Sequence, residues 1–210
     1  MFLTDYLYSH KKLWEATFNG NEEQFDHYLQ FCTGTSMNYV YQDFTPLKNA
    51  IRSGSIRMAE ELLKRGCDPH LTEPLLYIVT YGLMDFLSLF IAYGIDVTIL
   101  YKHDKTALMV AAFYSRNDVV SVILPYYSSR QIRYRDEDGV NALMFAVMFD
   151  NALIVQQILD VCPEIKDDLN YDFKTVKEVA QQHGAVECLT ILRKRSVPIK
   201  TTVISDYFNA

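Results

Sequence analysis

The chain of 210 residues repeats itself at a nearly fixed interval. Six segments align without internal gaps, and their first residues are separated by 34, 28, 33, 35 and 34 positions. They are KKLWEATFNG from Lys11, TPLKNAIRSG from Thr45, EPLLYIVTYG from Glu73, TALMVAAFYS from Thr106, NALMFAVMFD from Asn141 and TVKEVAQQHG from Thr175. Such a period is typical of a stacked array of small units, each of which buries its apolar face against its neighbours.

The second segment illustrates how one unit folds. Thr45 suits the N-cap of a helix, and Pro46 suits the first turn, where a backbone amide has no helical partner. Gly54 ends this helix, and an apolar stripe over residues 56–63 predicts a second helix that ends at Gly66. Neither helix hides its stripe alone, so the two must pack together and against the next unit.

The stretch TPLKNAIRSGSIRMAEELLKRGCDP, residues 45–69, resembles the ankyrin repeat, whose pattern opens its first helix with T-P-L-H and places G-A-D after its second. Matches to this pattern cover roughly residues 11–195. The resemblance implies an all-α solenoid of about six helix-turn-helix repeats with short hairpins or loops. It also implies a curved array that binds other proteins on its concave face.

The repeats divide the chain. We expect one ankyrin-repeat domain over residues 1–195, in which residues 1–10 extend the first helix or cap the stack, and a flexible tail over residues 196–210. The step from the second segment to the third is only 28 residues. We therefore expect a clipped finger or a bend near residues 68–72.

Composition argues against several classes of partner. Twenty Lys and Arg against 26 Asp and Glu give a formal charge of -6, so neither nucleic acid nor anionic lipid is an expected partner. The four cysteines have no C-x-x-C spacing and the N-terminus does not resemble a signal peptide, so we expect core thiols in the cytoplasm. Residues 74–100 are apolar, but Asp85 near their middle would cost about 2.5–3.5 kcal/mol in a membrane. Two short buried helices are expected there, and no membrane span.

Motifs for catalysis are missing from the sequence. There is no G-x-x-x-x-G-K-[ST] phosphate loop, no G-x-S-x-G elbow and no H-E-x-x-H metal pair, and the five histidines are scattered over separate units. We expect no cofactor, no metal site and no enzymatic activity. An alternative stays open, in which the array is a scaffold for an enzyme or an enzyme-associated protein, with its activity in an irregular loop or in the tail.

A first set of candidate contacts follows from the resemblance. In ankyrin-like units the residues just before the end of the first helix face the concave side, and in the third to fifth copies these residues are mostly apolar. The candidates, with Arg52 at the same position of the second copy, are Arg52, Tyr81, Phe113, Tyr114, Met148 and Phe149. Either they line a groove that contacts a partner, or they pack in the core beneath a loop, as aromatic residues at helical spacing often do.

A second set lies in two connections that are expected to project, residues 100–106 and 132–141. Tyrosine and arginine often anchor protein contacts, whereas loops of mixed charge are often only solvated. The candidates for protein binding are Tyr101, Lys102, His103, Arg133, Tyr134, Arg135 and Glu137.

The resulting hypothesis is a non-catalytic adaptor, monomeric on its own, that binds a protein or an extended peptide on its concave face. A short array with degenerate repeats and many tyrosines also resembles the ankyrin proteins that intracellular bacteria deliver into the host cytosol. In such an effector the tail would serve as an export signal. A eukaryotic cytosolic adaptor would have much the same composition.

Overall fold

The computed structural model describes residues 2–32 and 37–194. The predicted tail, residues 196–210, lies outside the described residues, as does residue 195 at the predicted end of the repeat domain. Within the described ranges the chain forms thirteen α-helices and no extended strand, which confirms the all-α prediction. The helices are α1 (Phe2–Phe18), α2 (Glu22–Leu29), α3 (Pro46–Arg52), α4 (Ile56–Lys64), α5 (Pro74–Tyr81), α6 (Met84–Ala92), α7 (Ala107–Phe113), α8 (Asn117–Ile123), α9 (Ser129–Ile132), α10 (Ala142–Met148), α11 (Ala152–Val161), α12 (Val176–His183) and α13 (Val186–Lys194).

Twelve of these helices form six hairpins, and α9 is a single turn between the fourth and the fifth. The first helices of the hairpins, α1, α3, α5, α7, α10 and α12, stack in one row, which we call the inner row. The second helices, α2, α4, α6, α8, α11 and α13, form the outer row. Neighbours in the inner row pack more closely than neighbours in the outer row, so the array is concave on the inner side.

Side-chain caps fix where most inner helices begin. The side-chain oxygens of Thr45, Thr106, Asn141 and Thr175 each accept a hydrogen bond from the amide three residues further on, at 3.1, 3.2, 2.9 and 3.3 Å. Two inner helices differ. Helix α1 begins at Phe2, well before Lys11, and Glu73 before α5 has a left-handed backbone (φ 56°) and no side-chain cap. At four of the six positions, the first residue of the repeated segment is therefore the N-cap of an inner helix.

The apolar stretch over residues 74–100 forms two helices, as expected. Helix α5 ends at Tyr81, Gly82 takes the left-handed conformation at its C-terminus, and α6 follows from Met84 with Asp85 in its first turn. Throughout the described part of the chain, every helix is either too short or too polar to cross a membrane.

One continuous hydrophobic core runs through the array from Leu13 to Leu192. Its largest fully buried side chains include Phe25 and Phe90. The four cysteines are buried as thiols, as predicted, and burial raises the pKa of Cys67 and of Cys188 to about 12. These thiols are therefore small core groups and not nucleophiles.

Polar groups tie successive hairpins together at the helix ends. The Arg116 guanidinium donates through Nε to the carbonyl oxygen of Thr80, at 2.9 Å, near the end of α5. Asp150, after α10, accepts from the backbone amide of Cys188, at 3.1 Å, in the first turn of α13. Burial alone would raise the pKa of Asp150, but the amide hydrogen bonds, those of Cys188 foremost, outweigh it and hold that pKa below its ordinary value.

The connections from an outer helix to the next inner helix, which we call fingers, differ in length. The second finger, residues 65–73, is the short one and forms a bend at His70 and Glu73, whose backbones share one hydrogen bond of 3.1 Å. The bend predicted near residues 68–72 is thus present. The next three fingers are each closed by an amide bonded to a carbonyl four residues on, Tyr101 to Lys105 (2.9 Å), Asp136 to Val140 (3.0 Å) and Asn170 to Lys174 (3.0 Å).

Candidate functional site

Four of the aromatic residues predicted at the ends of the inner helices are exposed. The exposed fraction is 57% for Tyr81, 43% for Phe113, 48% for Tyr114 and 50% for Phe149. Met148 is half-buried and packs against the core. The sequence left open whether these residues line a groove or pack in the core. The four exposed rings are not core residues, because a core ring would be almost wholly removed from water.

Two further aromatic residues belong to the same surface and were not among the predicted residues. Tyr77 and Phe145 are half-buried and lie one helical turn before Tyr81 and Phe149, on the same faces of α5 and α10. Their four-residue spacing was the available signal. The prediction missed them because the resemblance indicates a direction only for the last positions of each inner helix. We call the set Tyr77, Tyr81, Phe113, Tyr114, Phe145 and Phe149 the aromatic stripe.

Phe113 is the centre of the stripe. Its ring centroid lies 5.0 Å from Tyr114, 5.6 Å from Phe145 and 5.0 Å from Phe149, with interplanar angles of 75°, 81° and 76°. Edge-to-face pairs of this kind are favourable. The stripe thus spans α7 and α10 as a self-supporting cluster, with Tyr77 and Tyr81 paired at 4.6 Å on the neighbouring α5.

The chemistry of the inner row changes at both ends of the stripe. Towards the N-terminus, the Arg52 guanidinium lies 4.0 Å from the ring centroid of Phe18 and donates to the Phe18 carbonyl oxygen at 2.9 Å. It is exposed, but it is tied to α1. Towards the C-terminus, Gln182 and His183 are exposed and polar. At the ends of the inner helices, exposed aromatic rings therefore occur in the third, fourth and fifth hairpins and, beside Arg52, at Phe18 in the first.

Four of the predicted finger residues are exposed, namely Lys102, His103, Arg133 and Glu137. The structure brings two of them together across neighbouring fingers, since His103 Nδ1 lies 2.6 Å from Glu137 Oε2. The amide of Glu137 also donates to the carbonyl oxygen of His103, at 3.4 Å. Two fingertips are thus joined beside the inner row.

Tyr101 and Tyr134 do not project, which corrects the expectation from the sequence. Both are half-buried and pack against the core. The third finger turns at Lys102–Asp104, where His103 has a left-handed backbone (φ 61°), so Tyr101 lies at its base. Burial raises the pKa of Tyr101, and its buried hydroxyl has no hydrogen-bond partner among the described residues.

The two arginines among the predicted finger residues lie between neighbouring units. Arg133 holds the buried carboxylate of Asp168 through its Nε, at 3.1 and 3.0 Å, and through a second guanidinium nitrogen. This hydrogen bonding to Asp168 raises the pKa of Arg133. Arg135 is half-buried in a cleft beside Tyr171. Arg133 is therefore engaged in holding two units together.

Metal ligation has no support in the geometry. Among the residues that the structure describes, no group of three or more His, Cys, Asp and Glu side chains is placed to hold a metal ion. The surface that stands out instead is the aromatic stripe, with the joined fingertips to one side of it.

Comparison with known proteins agrees with this architecture. A family model described as ankyrin repeats, in three copies, matches residues 49–136. Residues 49–136 therefore consist of ankyrin repeats. Ankyrin repeats are a scaffold for protein–protein interaction, and the inner row with its fingers is the ankyrin-repeat arrangement of helix pairs. No curated protein sequence matches the chain.

Solved structures extend the likeness to most of the chain. An ankyrin repeat domain from Acinetobacter baumannii AYE is 22% identical, with a TM-score of 0.74, and the match covers 87% of this chain and 96% of that one. EF0377, an ankyrin repeat protein, is 24% identical, with a TM-score of 0.75 and coverage of 87% and 96%. A chain in the complex of the Bd0816 predatory endopeptidase from Bdellovibrio bacteriovorus with the immunity protein Bd3460 is 21% identical, with a TM-score of 0.72 and coverage of 88% and 97%. At these identities the likeness is one of fold.

Proposed function

We propose that the chain is a non-catalytic adaptor that binds a protein or an extended peptide along its inner row. The observation that carries this proposal is the aromatic stripe, in which half-exposed rings contact one another across α7 and α10. Contiguous apolar surface on a folded protein usually marks a contact, and aromatic residues dominate the energetics of such contacts.

The proposal divides the predicted contacts into two classes. The anchors are the exposed rings Tyr81, Phe113, Tyr114 and Phe149, with Met148 beside them. The rim is formed by the charged finger residues Lys102, His103, Arg135 and Glu137, whose contribution to affinity is smaller because they stay in contact with water. Arg52, Tyr101, Arg133 and Tyr134 support these surfaces through contacts within the chain.

The test is affinity capture from a lysate of the source cells. A variant that combines Tyr81→Ser, Phe113→Ser and Phe149→Ser removes three exposed rings. Its control combines Leu153→Ser and Val186→Ser, two outer-row residues that are 53% and 69% exposed. Both variants are first compared with the parent chain by circular dichroism.

The proposal expects a specific partner that is retained by the parent and by the outer-row control and lost by the stripe variant. Equal retention by both folded variants would contradict it. Turnover of a substrate that survives in the stripe variant and disappears when residues 196–210 are removed would favour the enzyme alternative instead.

Location, boundaries and assembly state are finer parts of the proposal. We propose a cytoplasmic monomer with a repeat domain over residues 1–195, either in its own cell or, as a secreted bacterial effector, in the cytosol of a host. Four buried thiols support a reducing compartment. Cell fractionation and light scattering of the purified chain test these statements.

A further inference from the structure

A cleft of about 310 Å³ adjoins the aromatic stripe where the fingers meet the inner row. It lies between α7, α10 and the two fingers that precede them. Its lining combines aromatic, apolar and charged side chains, namely Lys105, Met109, Val110, Phe113, Tyr114, Asp136, Asp138 and Phe145. Three of these belong to the stripe, so a partner on the stripe would also reach the cleft. The volume is at the lower end of the range for ligand pockets, which suits a single side chain.

The aromatic wall of the cleft is suited to a cation. Phe113 is nearly perpendicular to both Tyr114 and Phe145, at 75° and 81°, so the three rings present faces in different directions. The face of an aromatic ring carries negative electrostatic potential and attracts ammonium and guanidinium groups. A long basic side chain can also lay its apolar stem against such rings while its charge reaches further.

The opposite wall carries excess negative charge. Asp136 is 4% exposed, and its Oδ1 accepts hydrogen bonds from the amides of Asp138 (3.1 Å) and Val140 (2.8 Å), which fixes the carboxylate in place. Asp138 is exposed, and neither carboxylate makes an ion pair with any Lys, Arg or His of the described residues. Lys105 also lines the cleft, which leaves two carboxylates against one ammonium. A buried carboxylate gains from a cationic partner, which adds to the two amide hydrogen bonds in offsetting the cost of removing the charge from water.

An anion is a poor fit at the same place. The neighbouring starts of α7 and α10 are already capped, because Thr106 accepts from the amide of Met109 and Asn141 from the amide of Met144. An incoming carboxylate or phosphate would meet Asp136 and Asp138 and find only Lys105 as a charged donor. The charge and the ring geometry of the cleft therefore both favour a cationic ligand.

We propose that this cleft receives a basic side chain of the protein partner, arginine in preference to lysine. The guanidinium stacks on rings and is less strongly hydrated than an ammonium, so it loses less on entering a half-buried site. This inference rests on the proposed function and assigns the chemistry of one contact within it. The stripe supplies the apolar contacts, and the cleft selects a partner with an arginine beside its apolar anchors.

The test uses the whole chain, labelled with ¹⁵N and with ¹³C in the methionine methyl groups, in an NMR titration. The probes are the acetylated, methylamidated derivatives of arginine, of its neutral isostere citrulline, and of norleucine. The arginine derivative is expected to produce saturable shifts at the Met109 methyl and at the amides of Phe113 and Phe145. The citrulline and norleucine derivatives are expected to bind about ten-fold more weakly, as befits the loss of a cation–π contact and its charge partner.

Two variants separate charge recognition from a general surface effect. Asp138→Asn removes one carboxylate of the cleft and is expected to weaken arginine binding several-fold. Asp118→Asn, the same change at an exposed residue in the first turn of α8, is expected to leave it unchanged. Equal binding of arginine and citrulline, the absence of saturable shifts at the cleft, or equal weakening by both variants would overturn the inference.

These failures are distinct from failure of the proposed function. If the arginine derivative does not bind while the stripe variant still loses its captured partner, the basic-residue assignment is wrong and the adaptor proposal stands. If the stripe variant keeps its partner, the adaptor proposal is wrong whatever the amino-acid probes do.

Discussion

Replacement of Phe113 by alanine tests the exposed position of the stripe most simply. The residue is 43% exposed, so a little over half of its surface is out of water. Full burial of a phenylalanine side chain stabilises by about 1.5–3 kcal/mol, so Phe113→Ala is expected to lower the free energy of unfolding by about 1–2 kcal/mol. No enclosed cavity is left, because the ring borders solvent, and the additional cavity penalty of a core substitution is therefore absent.

Phe90→Ala is the matched control, since Phe90 in α6 has the same side chain and an exposed fraction of 0%. Its removal is expected to cost about 3–5 kcal/mol, the range for a phenylalanine deleted from a packed core. The assay is equilibrium unfolding in urea, followed by circular dichroism, with the parent and both variants at one protein concentration. A loss at Phe113 as large as the loss at Phe90 would refute the reasoning, because it would mean that the ring is a core residue.

Three further substitutions test other parts of the structure by the same assay. Gly139→Ala would put a Cβ 2.6 Å from the backbone nitrogen of Tyr171, at a φ of +77°. It is expected to destabilise the protein more than Gly94→Ala, because Gly94 has a φ of +68° but open space around it, and that change should cost only about 1–2 kcal/mol. Equal losses would contradict the close contact at Gly139. Tyr101→Phe is expected to raise the free energy of unfolding by about 1 kcal/mol, because it removes a buried hydroxyl without a partner, and a clear loss would reveal a hydrogen bond. Asp150→Ala is expected to cost about 1 kcal/mol at neutral pH as a lost helix cap. Because the folded pKa of Asp150 lies below its ordinary value of 3.8, that cost should be present above this value and fade as the pH falls through the folded pKa; a cost independent of pH would contradict the cap.

The helical framework could be predicted from the sequence because its signals are local. Thr45 and Thr106 cap the inner helices that their positions in the segments indicated. Gly54 and Gly66 take left-handed backbones, with φ of +78° and +79°, after the helices that they were expected to end. A cap or a stop acts within one turn, so neighbouring residues are enough to recognise it.

Contacts between repeats could not be predicted in the same way. The guanidinium of Arg133 and the carboxylate of Asp168 are 35 positions apart, and only the stacking of two fingers makes them a pair. Tyr101 lies at the base of a turn whose left-handed residues, His103 and Asp104, are not glycines, so the sequence did not indicate where in the finger the chain turns.

The candidate surface was predicted in part. Positions at the end of the inner helices led to Phe113 and Phe149, since the resemblance implies their direction. Phe145 was missed because that direction applies to the last positions of each inner helix, and Phe145 lies one turn earlier in α10. The cleft beside Phe113 depends on how the fourth finger folds onto α7 and α10, which only the three-dimensional arrangement reveals.

Site-specific photocrosslinking in the source cells tests the central claim most directly. A benzoylphenylalanine placed at Phe113 or Phe149 reports on the inner row, and the same group at Leu153 or Val186 reports on the outer row. The adaptor proposal predicts that one protein is crosslinked from both inner-row positions and from neither outer-row position. Crosslinks to that protein from the outer row alone, or none from the inner row in a folded chain, would contradict it.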